Sequence, residues 1–240
     1  PRRPARPPRA EDPCREALAP ALSQQFPRGL CCATQGTWPR AWSTDLSSEA
    51  REHMIHPHTQ RSFVSADVGW GVFATRLIPR GTITWVLDSQ DQRLDVEQVS
   101  TLSPEEYRCC YQDSTGLWVL AADHGRFVNH SCDPTCISGG EDGFEIAIRD
   151  ILAGEQVTDD YGELEGYSPF ECGCQSSLCR GRIFPDVASS SLARSRREQA
   201  VDALRLAPTL EQPLLELQDD AERIRSYIAR LVAAEAPPPP

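Results

Sequence analysis

Gly125-Arg126-Phe127-Val128-Asn129-His130-Ser131-Cys132 is the stretch on which the reading of this 240-residue chain turns. On its own an Asn-His pair is most often a hydrogen-bonded loop and a single Cys a small buried residue. Upstream, Gly69-Trp70-Gly71-Val72 places two residues without a Cβ around a Trp. Such a run makes a turn, and it also lets backbone approach a ligand closely. Downstream come Gly154-Glu155-Gln156-Val157-Thr158-Asp159-Asp160-Tyr161-Gly162 and then Cys172-Gly173-Cys174 with Cys179-Arg180-Gly181. Each segment alone says little, and the information lies in their order and spacing.

The surrounding sequence is that of short strands. Val72-Phe73-Ala74, the turn Ile78-Pro79-Arg80-Gly81 and the β-rich run Thr82–Leu87 predict a β-hairpin. Ser103-Pro104-Glu105-Glu106 is a capping-box helix start, and a strand over Leu117–Leu120 follows the Ser114-Thr115-Gly116 turn. Phe144, Ile146 and Ile148 alternate with Glu145, Ala147 and Arg149 as in a half-buried strand, and Ala153-Gly154 turns toward Gln156-Val157-Thr158. Beyond Pro185, Leu214, Leu217, Ile224, Ile228 and Leu231 fall at helical spacings among charges of both signs, until the closing Pro run. That pattern suits a packing or partner helix better than one lying on a membrane. Fold class is therefore mainly β with short helices, plus a C-terminal helical extension.

Composition narrows the function. No stretch nears the roughly 20 apolar residues of a membrane-spanning helix, and the Arg/Pro-rich start lacks the apolar run of a signal peptide. The formal charge is -11, with 24 Arg and no Lys. Residues 63–182 hold 20 acids against 8 Arg, whereas residues 1–62 hold 9 Arg against 6 acids. A negative centre argues against a nucleic-acid backbone as ligand and suits a basic peptide or a cationic cofactor. Ten Cys without a secretory signal point to metal or free thiols before disulfides.

Taken together in this order, the four segments resemble the SET domain with its post-SET zinc segment, a family of S-adenosylmethionine-dependent protein lysine methyltransferases. The resemblance covers about Phe63 to Gly181. It implies small twisted sheets around a pseudoknot, in which the segment holding Tyr161 threads beneath the preceding loop. It implies that Gly69, Trp70, Gly71, Arg126, Asn129, His130 and Tyr161 lie along the cofactor, with Tyr111 a looser match. It makes Tyr161 the catalytic residue, its hydroxyl orienting the substrate amine with backbone carbonyls. It implies a structural Zn²⁺ held by Cys132, Cys172, Cys174 and Cys179, a closed four-thiolate site with no open position for Lewis-acid chemistry. The remaining Cys, among them Cys109, Cys110 and Cys136, read as buried small residues.

The reaction needs a neutral amine, whereas a free lysine titrates at about 10.4; an apolar channel and a nearby sulfonium both disfavour the ammonium. Two departures from the family pattern bear on this. Asp159 stands where an aromatic ring lines the lysine channel, which leaves the number of methyls open, and Thr135 stands where Asn is common. Tyr167 or Phe170 are candidates to supply the missing ring or to cover the cofactor. The resemblance implies a basic protein substrate, with histone tails as its class, and a nuclear or cytoplasmic place. The competing reading is a catalytically silent SET module that binds a peptide or scaffolds a complex through the C-terminal helix. Organisation is expected as a disordered Pro/Arg-rich tail at 1–20, a flanking segment at 21–62, the SET domain at 63–165, the zinc segment at 166–184 and the helical extension at 185–240.

Overall fold

The computed structural model describes residues 54–87, 89–140, 143–164, 169–184, 190–217 and 221–234. The expected tail, most of the flanking segment, Cys14, Cys31, Cys32, Glu165 and Tyr167 lie outside the described residues. The described chain is mainly small β-sheets with short helices. Among the described residues no helix is long and apolar enough to cross a membrane.

Strand β1 (Thr59–Ser65) starts ahead of the expected boundary at Phe63 and pairs antiparallel with β2 (Gly69–Ala74). The register shifts between Phe63 and Ser65, so Val64 is the extra residue of a bulge. Gly69 closes this hairpin at φ 83°, a backbone conformation glycine adopts without cost. On its other edge β2 receives β10 (Gln156–Asp159) antiparallel, and β10 in turn pairs parallel with β7 (Asn129–His130). The four-stranded order is β1-β2-β10-β7.

The hairpin expected between Val72–Ala74 and Thr82–Leu87 does not form. All four residues of β3 (Ile83–Val86) are buried. Ile83 and Val86 face one apolar cluster and Trp85 faces the other, so this strand must lie between two cores. It finds that place beside β9 (Phe144–Ala147) in the order β3-β9-β8, with β8 spanning Cys136–Ser138. Ile78, expected in the turn, instead bridges Ile151.

A third sheet orders β4 (Gln92–Leu94), β6 (Trp118–Leu120) and β5 (Cys110–Gln112) as β4-β6-β5. Two short helices, α1 (Val96–Val99) and α2 (Pro104–Arg108), carry reciprocal capping boxes. The one at Ser103/Glu106 is the one expected; the one at Asp95/Gln98 uses the same chemistry. A two-stranded ribbon of β11 (Phe170–Glu171) and β12 (Arg182–Ile183) frames the last cysteines.

Helices α3 (Ser191–Leu204), α4 (Pro213–Leu217) and α5 (Ala221–Ala234) form the C-terminal extension. Leu214, Ile224 and Ile228 are buried in one cluster with Ile83, Val86, Ile137, Phe144 and Ile146. Leu214, Ile224, Ile228 and the half-buried Leu231 are thus packing positions, and they pack against the sheet of the same chain. Gln212 fixes the seam: its Oε1 accepts from the Ile83 N–H (2.9 Å) and its Nε2 donates to the Gly81 carbonyl (2.9 Å).

Candidate functional site

Two segments far apart in sequence build the site by lying side by side. Thr158 and Asp159 pair parallel with Asn129 and His130. The loop then closes on β10, with the Ser131 N–H donating to the Asp159 carbonyl (2.9 Å) and the Thr135 N–H to the Thr158 carbonyl (3.0 Å). This wrapped strand is the crossing that the resemblance implies. Thr135 takes part through its hydroxyl, which accepts from the Thr158 N–H at 2.8 Å.

Tyr161 follows directly in a 3-10 turn (Tyr161–Glu163). Its hydroxyl donates to the Val128 carbonyl at 2.6 Å, and its N–H donates to His130 Nδ1 at 3.1 Å. The rings of His130, Tyr161 and Phe170 form a cluster with centroids 5.6, 5.7 and 6.2 Å apart. Phe170 is therefore one of the rings packed around this turn.

Gly71 is required by packing as well as by any ligand: a Cβ there would lie 2.5 Å from Gln156 Oε1 and 3.0 Å from Asn129 Nδ2. Asn129 Nδ2 donates to the Trp70 carbonyl (2.9 Å) and to Gln156 Oε1 (2.8 Å), which joins the Gly-Trp-Gly strand to the Asn-His strand. The Trp70 ring stacks edge-on with Phe63 and carries the Arg61 guanidinium 4.5 Å from its centroid. Nothing in the local sequence marks that cation, which also lies 5.3 Å from the Phe127 ring.

Two expected cofactor residues stand further from this junction. The Arg126 guanidinium donates to the carbonyls of Asp123 (3.1 Å) and Ala122 (2.6 Å), anchoring the 3-10 turn His124–Phe127. Tyr111 packs edge-on against Trp85 at 6.3 Å, beside the cluster that also receives Phe127 and Val128.

The cysteines converge. His130, Cys132, Cys172 and Cys174 present ligand atoms all within 4.8 Å of one another. Cys132 and Cys172 sulfurs are 3.8 Å apart, the edge length of a tetrahedron whose metal–sulfur bonds are about 2.3 Å. Cys179 adjoins them, its thiol directed at the Cys172 carbonyl at 3.7 Å. His130 is poorly placed to be the fourth ligand. Its Nδ1 accepts the Tyr161 N–H, so Nε2 carries the proton and lies 3.4 Å from the Cys132 sulfur as a donor. Burial pushes the imidazole pKa down to about 4, against the opposing pull of Asp160. Burial alone would raise the Cys174 thiol, but the N–H groups of Cys132 and Ser176 outweigh it and bring its pKa to about 7.

Asp160, a residue given no role from the sequence, is the electrostatic centre. Its carboxylate is fully buried and meets Arg180, Arg196 and, at 3.7 Å, His130 Nδ1. The Asp159 carboxyl, where the family has an aromatic, is also buried and accepts the Asp160 N–H at 2.6 Å. Burial and the neighbouring Glu145 and Glu163 hold its pKa well above the usual carboxylate range.

Glu163 shares this environment, and burial with the Asp160 charge lifts its pKa from 4.5 to about 7. A carboxyl that binds its proton more tightly folded than unfolded makes stability fall as pH rises between those two values. Glu163→Gln is therefore expected to melt above the native chain at pH 8 and level with it at pH 4, as followed by circular dichroism. Equal melting points at both pH values would refute the assignment.

Residues 69–162, which hold this junction, match the family model of the SET domain. It is 30% identical over 153 residues to histone-lysine N-methyltransferase ash1 of Drosophila melanogaster, covering 57% of this chain and 7% of that protein. The variant-silencing SET domain-containing protein of Plasmodium falciparum is 31% identical over 128 residues, or 46% of this chain and 5% of the relative. The H3 lysine-9 specific histone-lysine N-methyltransferase of Schizosaccharomyces pombe is 28% identical over 160 residues, or 51% and 32%. The chain thus spans less than a third of the length of each of these relatives. Among solved structures, the methyltransferase domain of human SETMAR aligns with a TM-score of 0.41 at 20% identity, covering 56% of this chain and 60% of that one.

Proposed function

We propose that this protein is a protein-lysine N-methyltransferase that uses S-adenosylmethionine and takes a basic peptide, a histone tail by class, as substrate. The observation that carries the reading is the strand crossing that sets the Tyr161 hydroxyl on the Val128 carbonyl at 2.6 Å, beside Asn129 and His130. Relatives named as histone-lysine methyltransferases support it.

S-adenosylmethionine, when bound, supplies an electrophilic methyl group on a sulfonium. The Gly69–Gly71 strand, Asn129 and His130 are the residues to hold it, with Tyr161, Arg126 and Tyr111 at its margin. Tyr161 and the Val128 carbonyl orient the incoming amine, and the apolar surround of Trp85, Phe127 and Phe170 excludes water. Desolvation there favours the neutral amine, and its alignment supplies most of the acceleration. A hydroxyl with a pKa of about 10 is a poor general base near neutrality, so Tyr161 positions and polarises.

Cys132, Cys172, Cys174 and Cys179 are proposed to hold a structural zinc, His130 donating to the Cys132 thiolate from outside. The net negative segment 63–182 favours an Arg/Lys-rich peptide added along a sheet edge, and the chromatin relatives favour a nuclear place.

Incubation with radiolabelled S-adenosylmethionine and core histones tests the reading. The native chain should label a histone, and Tyr161→Phe should lower the rate about a hundredfold or more. Binding of cofactor and histone without any transfer by the native chain would instead leave a silent peptide-binding SET module.

A further inference from the structure

We propose that Arg196, on helix α3 of the C-terminal extension, is a positioning residue for Tyr161, so that the extension completes the active site. Asp160 stands immediately before Tyr161 and caps its turn, one carboxylate oxygen accepting the Gly162 N–H at 3.0 Å. That carboxylate is 0% exposed, and a buried charge holds one orientation only if each oxygen is paired. Arg180 takes Oδ1, while Arg196 takes Oδ2 with both Nε (3.2 Å) and NH2 (3.1 Å). The same NH2 donates to the Cys132 carbonyl at 3.0 Å, and NH1 is fixed by Gln199 Oε1 at 3.0 Å.

One rigid guanidinium thus ties the residue ahead of Tyr161 to the residue that ends the Asn-His-Ser-Cys run. The Arg196 side chain is itself only 9% exposed, so water cannot substitute for it. Two donors of one planar guanidinium on Oδ2, with Arg180 and the Gly162 N–H on Oδ1, hold the carboxylate in one orientation, and with it the 3-10 turn that aims the Tyr161 hydroxyl. Lysine, with one ammonium, can neutralise Asp160 but cannot hold both oxygen-directed donors and the Cys132 carbonyl.

The kinetic part of this inference rests on the methyltransferase reading, whereas its structural part does not. The test compares the full native chain with Arg196→Lys, Arg196→Ala and a control, Leu214→Ala, which empties a core position away from Asp160. Backbone hydrogen exchange over residues 158–164 is expected to quicken about tenfold in the Arg196 variants while β3 keeps its native rate. In methyl transfer kcat should fall about a hundredfold with KM for the peptide nearly unchanged. The control should loosen the molecule broadly and keep kcat at temperatures where it is folded.

Native exchange over 158–164 in Arg196→Lys overturns the proposal, as does an equal kcat loss in Leu214→Ala. Should Arg196→Ala fail to fold, Arg196→Lys decides alone. Absence of any methyl transfer by the native chain would refute the enzyme reading, and the exchange comparison would still decide whether Arg196 holds the Tyr161 turn.

Discussion

Replacing Asp160 by alanine is expected to lower stability by about 3–5 kcal/mol, because it leaves the buried Arg196 guanidinium without its counter-charge. Arg196 is 8% exposed and keeps only the Cys132 carbonyl and Gln199 as acceptors once the carboxylate is gone. The Gly162 N–H loses its cap as well. Asp160→Asn separates these contributions: the amide oxygen can still accept from Gly162, while the charge is lost. Urea unfolding should therefore rank native above Asp160→Asn above Asp160→Ala. A loss below about 1 kcal/mol for the alanine variant would place Asp160 with ordinary exposed ion pairs and refute the picture of a buried charge centre.

Cys132→Ser should have the second large effect, since it removes both a thiolate from the cluster and the sulfur to which His130 and the Arg180 N–H are directed. Stoichiometric zinc, measured by mass spectrometry of the purified chain, is expected in the native protein and lost in the variant. A chelator should act likewise on the native chain, lowering its melting point and making residues 170–183 open to protease, since binding energy of a structural zinc is folding energy. Cys179→Ser should behave like Cys132→Ser, whereas Cys110→Ser, on β5, should keep its metal. Retained zinc in Cys179→Ser with loss on replacing His130 would reverse the ligand assignment argued from the His130 tautomer.

How far the sequence reaches can be seen in particular residues. Glycine turns, the Ser103/Glu106 capping box and the alternation around Phe144 are local signals, so the strands and the short helix they mark appear where expected. Pairing is not local. Nothing near Thr82–Leu87 tells that this run must be buried on both faces, and the expected hairpin fails for that reason. At the site, Asn129, His130, Tyr161 and Cys132 are singled out only through the family resemblance that their runs carry together, and the fold brings them to one crossing. Arg196 is not: one arginine among several on a weakly patterned helix becomes important only when the fold carries it 36 positions back to Asp160. Arg180 reads as part of a cysteine motif, and its pairing with Asp160 follows from the ribbon that returns it beside the Tyr161 turn.

Gln212 has a consequence for how much of this chain can be removed. With its side chain it satisfies the backbone at the start of β3, one acceptor for Ile83 and one donor for the Gly81 carbonyl just ahead of the strand. A chain cut after the cysteine loop would therefore bare Ile83, Val86, Ile137 and Ile146, which pack in one cluster with the helices, as an apolar patch onto which other copies can add. Trimming to the motif-bearing half should yield aggregates rather than a minimal enzyme.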